Sequence, residues 1–167
     1  MKSRVLSALA LCVVLSSLSA AQPVKVVRVG VAAKQYVNHA TLLNWTGDAL
    51  RQRDLVVSYL NRRKPAKANW LIEAVSITTM DSKGVEAEAL RKGCDYVVRL
   101  DLDFSSIPRT EASEFDDSNH GASVMYSIWR VSDGAPVASE FAFAFRSQAA
   151  MSVMTDIYDA IVKAAAP

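Results

Sequence analysis

The sequence predicts an α/β (α+β) fold, a mixed sheet with helices packed on it, in the element order β-α-β-α-β-β-β-α. Three observations lead there. Strand-like and helix-like segments alternate through the first part of the chain, a hairpin signal follows, and an amphipathic stretch closes it. Alternating β and α units favour parallel neighbours and a hairpin requires antiparallel ones, so both kinds of pairing are expected in one sheet.

Residues 24–32 (VKVVRVGVA) are β-rich and fit a buried first strand, with Gly30 marking a place where another backbone approaches closely. Residues 33–46 are expected to be the first loop. From 48 to 63, Ala49, Leu50, Val56, Val57 and Leu60 recur at helical spacing, with Asp48 as N-cap and Pro65 as stop. Residues 70–79 (WLIEAVSITT) read as a second strand. Asp81 or Ser82 then caps a short helix that turns Val85, Ala89 and Leu90 inward and closes at Gly93 in the left-handed conformation. Residues 95–104 alternate. Tyr96, Val98, Leu100, Leu102 and Phe104 share one face, and Val97, Arg99, Asp101 and Asp103 the wetter one.

Residues 105–120 hold Pro108 and few apolar side chains, and are expected to form a long exposed loop. Residues 122–131 and 135–146 read as two strands joined across Ser132-Asp133-Gly134, where Gly134 supplies the positive φ. Val137, Phe141, Phe143 and Phe145 of the second strand are expected in the core. Residues 148–165 set Met151, Met154, Ile157, Tyr158, Ile161 and Val162 on one stripe and read as a closing helix. The core is therefore expected to contain Tyr96, Val98, Leu100, Phe141, Phe143, Ile157 and Ile161.

Of the 167 residues, 1–21 read as a secretion signal and 22–167 as a single domain. Lys2 and Arg4 precede the apolar run 5–15, and Ser19 and Ala21 are the small residues a signal peptidase reads, so cleavage is expected before Gln22. The product is then periplasmic or secreted. Leu11 before Cys12 and the apolar residues after it do not fit a lipidation site. No other stretch approaches the ~18 apolar residues of a membrane span. Without the signal, 17 basic residues face 17 acidic ones, a neutral balance that offers no argument for nucleic acid. Only Cys94 remains, so no internal disulfide is possible and the core alone holds the domain.

Three stretches carry a resemblance: RDLVVSYLN (53–61) on the first helix, GCDYVVRL (93–100) entering the third strand, and IWRVSDGAPV (128–137) across the hairpin. They resemble bacterial envelope domains of the TolB amino-terminal type, the curli-secretion lipoprotein type and the LpoB-type penicillin-binding-protein activators. In those domains a helix entering "ADYL" and a hairpin "R-L-V-D-x-x-T-G-x-V" recur. The resemblance spans most of residues 22–167 and implies a small periplasmic α/β interaction domain without catalytic residues. Cys94 stands where those domains carry Ala, and Ser132 where they carry Asp. The lipid anchor of many such proteins is not expected here.

Candidate chemistry is sparse. Asp101 and Asp103 project from one strand face about 7 Å apart, and with Asp116, Asp117 or His120 folding back they would make a hard-cation site or an acid/base pair. No metal-loop spacing supports this, and a solvated acidic face accounts for the same residues. His39, His120 and Cys94 do not form a zinc pattern. No G-x-S-x-G and no phosphate-binding glycine pattern occurs, so no cofactor is expected. Charge segregation is more informative. Residues 51–67 set Arg51, Arg53, Arg62, Arg63, Lys64 and Lys67 against Asp54, a balance of +5, and residues 101–117 carry a balance of −5. Part of the basic run complements a helix carboxyl end. The expectation is a non-enzymatic envelope module that binds a protein partner or assembles with itself, presenting Arg51, Arg62 and Arg63 to an anionic surface. The alternative is a small-ligand or metal site built from Asp101, Asp103 and the 105–120 loop.

Overall fold

The computed structural model describes residues 24–37, 40–41, 47–65, 69–104, 121–145 and 148–166. The expected signal 1–21, the 105–120 loop and both histidines lie outside the described residues. The strands are β1 (Lys25–Val37), β2 (Ala40–Thr41), β3 (Trp70–Ser76), β4 (Tyr96–Phe104), β5 (Gly121–Arg130) and β6 (Pro136–Phe145). The helices are α1 (Gly47–Arg62), α2 (Ser82–Arg91) and α3 (Met154–Ala165), with a 3-10 turn at Ala150–Ser152. The predicted order holds, with the two-residue β2 added.

One mixed sheet runs β3-β1-β4-β5-β6. The central β1 is parallel to β3 from Lys25↔Trp70 to Val31↔Ser76, and to β4 from Val29↔Tyr96 to Val37↔Phe104. β5 and β6 add antiparallel to β4, and β2 pairs antiparallel with the end of β1. The first strand thus continues through 33–37, where a loop was expected. β4 offers it a partner at every residue, and Ala33 and Gln35 keep the inward alternation at 5% and 2% exposure.

α1 and α3 lie on one side of the sheet. Val27, Val29 and Val31 of β1, Val98, Leu100 and Leu102 of β4, and Val124, Tyr126 and Ile128 of β5 meet Ala49, Val56 and Leu60 of α1 and Ile157 and Ile161 of α3. Each buried aliphatic side chain contributes about 1.5 to 3 kcal/mol through water release. On the opposite side, α2 packs Val85 and Ala89 on Ala32, Ile77, Cys94 and Val97. Val97, expected on a wetter face, is buried because α2 covers it. Leu90, expected inward, is 70% exposed because Val85 and Ala89 take the inward stripe of this short helix. Asp81 is the N-cap, its Oδ1 accepting from Gly84 N–H at 2.8 Å, and Gly93 ends the turn at φ +66°. At Gly30 it is side chains rather than another backbone that come close: a Cβ there would stand 3.0 Å from Ile77 Cδ1 and 3.3 Å from Cys94 Sγ.

Two core expectations fail on β6. Phe141 is 56% and Phe143 81% exposed. The cause is a register shift in the hairpin: Trp129 pairs with Pro136, but Ile128 pairs with Ala138, leaving Val137 without an opposite residue. Beyond it, Phe141 stands opposite Met125 and Phe143 opposite Ser123, on the side away from α3. Without the shift they would face Val124 and Ala122 in the core, because one residue of slip exchanges the two faces of a strand. Val137 itself is partly buried against the main core, and the Phe145 side chain lies outside the described residues. Met151, expected on the closing helix stripe, is 61% exposed in the 3-10 turn that precedes α3.

Candidate functional site: the half of the sheet beyond α2

α2 covers only one end of its side of the sheet. At the other end the pairing register builds two rows across four strands: Lys34, Asp101, Met125, Phe141, and Tyr36, Asp103, Ser123, Phe143. The rows run from charged groups on β1 and β4 to apolar ones on β5 and β6. Met125, Phe141 and Phe143 are all exposed, and the two phenyl rings meet edge to face with centroids 4.6 Å apart. A shallow cavity of about 390 Å³ joins the two halves, lined by Tyr36, Arg99, Asp101, Asp103, Met125 and Phe141 among others.

The carboxylates here are engaged. Arg99 donates from Nε and Nη2 to Asp101 Oδ1 at 3.0 and 2.9 Å, and from Nη1 to Ser82 Oγ at 3.0 Å. The Tyr36 hydroxyl donates to the same Asp101 oxygen at 3.4 Å. Burial works against the Arg99 charge, but the Asp101 carboxylate more than restores it and holds the guanidinium above its ordinary pKa. The structure therefore brings Asp101 and Asp103 to one cavity, with a fixed cation against Asp101. That arrangement does not favour a divalent ion, and among the described residues no three His, Cys, Asp or Glu side chains gather as a metal site. Cys94 is buried, and burial pushes its thiol up, away from the nucleophilic thiolate.

No protein-family model matches the chain, and no curated protein sequence matches it. Among solved structures it is similar to the PelC dodecamer from Paraburkholderia phytofirmans, at 15% identity over 84% of this chain and 88% of that one, TM-score 0.43. It is similar to TolB from Acinetobacter baumannii at 15% identity over 85% of this chain and 29% of that one, TM-score 0.44. It is also similar to the LpoB C-terminal domain from Salmonella enterica at 11% identity over 80% of this chain and 91% of that one, TM-score 0.41. TolB and LpoB are two of the three classes that the sequence stretches resemble. Among the described residues, no helix is long and apolar enough to cross a membrane.

The basic residues singled out in α1 are exposed but do not converge. Arg51 and Arg62 lie on one line of the helix, since eleven residues is close to three turns, yet about 16 Å apart. Arg62 Nε donates to Ser58 O at 3.0 Å. Arg63 lies over the Tyr59 ring at 4.9 Å and the Tyr158 ring at 5.9 Å, tying the end of α1 to α3. Arg53 is buried and donates to Ile77 O at 3.1 Å, a structural role. The exposed apolar residues that the sequence reading did not single out as a surface are Met125, Phe141 and Phe143. The signal was present: Ala138, Ala142 and Ala144 offer the small face that suits packing under a helix, but the larger phenylalanines read as core.

Proposed function

We propose that this chain is an exported module of the cell envelope, without catalytic machinery of its own, that holds a protein partner on the half of its sheet that α2 leaves uncovered. The observation that carries this is the exposed cluster of Met125, Phe141 and Phe143. Scattered surface apolar residues are ordinary, but three large ones side by side, with charged groups bordering them, mark a contact surface. Residues 1–21 act as the export signal and 22–167 as the working domain. The neutral balance and mixed rows suit a protein face with apolar and charged parts better than a polyanion.

The test is crosslinking in the producing cells followed by identification of captured proteins, for the parent and for a Met125→Ser, Phe143→Ser double variant of the full chain. The variant is expected to fold and to lose the captured partner. If every partner is retained by a folded variant, the reading falls. Mass spectrometry of the exported protein is expected to find Gln22 at the amino terminus.

A further inference from the structure

The two edges of the sheet are treated differently. On the β3 edge, Asn61 of α1 acts as a substitute strand: its Nδ2 donates to Ala74 O at 2.9 Å, and its Oδ1 accepts from Ala74 N–H at 2.8 Å. On the other edge, β6 pairs with β5 alone among the described residues. Natural edges are blunted with proline, lysine or a bulge. Here Pro136 and the Val137 bulge occupy only the first two positions, and SEFAFA (139–144) follows with no proline and no basic residue, Glu140 on the α3 side being its one charge.

Beside this bare edge runs a groove of about 720 Å³ between β6 and α3. From α3, Asp156, Asp159, Ala160 and Lys163 face it, at the spacing of one helix stripe. From β6, Val137 and Glu140 face it. Glu140 stands opposite the buried Tyr126, whose phenol is pushed up to about 12 first by burial and then by the negative charges of Glu140 and Asp156. Arg130 also lines the groove, but its guanidinium is paired with Asp133 at 3.0 Å. Among the described residues the groove is thus acidic, with Lys163 its remaining basic group.

Resting on the proposed partner-binding role, we infer that the occupant is an extended segment of a partner protein that adds to β6 as a further strand, basic on the side facing α3 and apolar on the side facing Phe141 and Phe143. Side chains alternate along a strand, so one segment meets both surfaces at once. Backbone hydrogen bonds to the bare edge hold it, and the two side-chain sets select it. A second copy of β6 is a poor occupant. Pairing about a two-fold axis would bring Glu140, Asp156 and Asp159 toward their own counterparts.

The probe is an acetylated, amidated octapeptide of alternating Lys and Val, added to the full chain as purified, with amide hydrogen exchange followed by NMR. Alternate amides within 139–144 are expected to gain at least tenfold protection. The Glu-Val counterpart and a Lys-Val peptide with a central proline are expected to bind at least tenfold more weakly. A Glu140→Gln, Asp156→Asn, Asp159→Asn variant, folded by its spectrum, is expected to lose at least tenfold in affinity for the Lys-Val peptide. Binding without protection of β6, or equal binding of the acidic peptide, overturns strand addition. So does a stable homodimer in which the 139–144 amides are already protected before any peptide is added. If the crosslinked partner is lost in the Met125→Ser, Phe143→Ser variant while β6 stays unprotected by the peptide, this inference falls and the broader role stands.

Discussion

Glu88 and Lys92 sit one turn apart at the end of α2, with Lys92 Nζ 2.8 Å from Glu88 Oε1, and the Glu88 side chain is only 6% exposed. The same carboxylate accepts from the Thr78 and Thr79 backbone N–H groups at 3.0 and 2.9 Å and from the Thr79 hydroxyl at 2.7 Å. Burial pushes this carboxyl up, but the bonds from Lys92, Thr79 and Thr78 outweigh it and hold the group well below the usual carboxylate range. Glu88 therefore ties the chain leaving β3 to α2.

The sign of its pH dependence follows. A depressed native pKa contributes stability that is fully present above the unfolded value of about 4.3, and that is lost as pH falls from there toward the native value. Glu88→Gln is expected to lower stability at pH 7 by roughly 1 to 3 kcal/mol and to flatten the acid dependence. Urea midpoints at pH 7 and pH 3 check it, and parallel acid losses in parent and variant would refute it.

Gly30→Ala is expected to destabilise by about 1 to 3 kcal/mol, because the added methyl meets Ile77 and Cys94 in a packed layer. Ile77→Val in the same chain should return part of that loss. A double-mutant cycle on denaturant midpoints reads the coupling, and strict additivity of the two changes would show that the contact is slack.

Phe143→Ala and Ile157→Ala should behave oppositely. Phe143 is 81% exposed, so its loss is expected to change stability by no more than about 0.5 kcal/mol. Ile157 is fully buried, and its truncation is expected to cost about 2 to 5 kcal/mol. Equal thermal shifts for the two variants would contradict the register of β6.

Reversing Arg51 and Arg62 to Glu is expected to leave the fold within about 0.5 kcal/mol of the parent, since both are exposed. Arg63→Glu should cost more, about 0.5 to 1 kcal/mol, because it loses the Tyr59 and Tyr158 rings. If the basic side of α1 also meets an anionic surface of the partner, capture by the parent weakens as salt rises and the triple variant loses that salt dependence. Unchanged capture by the triple variant at all salt concentrations would leave these arginines as solvated surface.

The element order was legible because hydrophobic period follows directly from which side of a helix or strand is dry. Val98, Leu100, Ile157 and Ile161 are core for that reason. What stayed hidden depends on contacts between distant elements. Val97 is dry only because α2 crosses it, and residues 33–37 are strand only because β4 lies beside them. The site was missed through a single residue. The hairpin sequence does not mark Val137 as the skipped residue, and only the small face of Ala138, Ala142 and Ala144 hinted that Phe141 and Phe143 stand in solvent.

Among the described residues, the strand at the centre of the sheet precedes both strands that flank it along its length. Lys25 pairs with Trp70 and Val29 with Tyr96, so apart from the two-residue β2 at its end, β1 takes its lateral partners from much later parts of the chain. At a synthesis rate of roughly 5 to 20 residues per second, the interval between Val29 and Tyr96 is about 3 to 13 s. Until β3 emerges a valine-rich segment waits with both flanks open, and from then until β4 emerges with one, the condition in which strands meet wrong neighbours. The five-strand sheet therefore closes around β1 only once β4 has been made, whatever has formed before it.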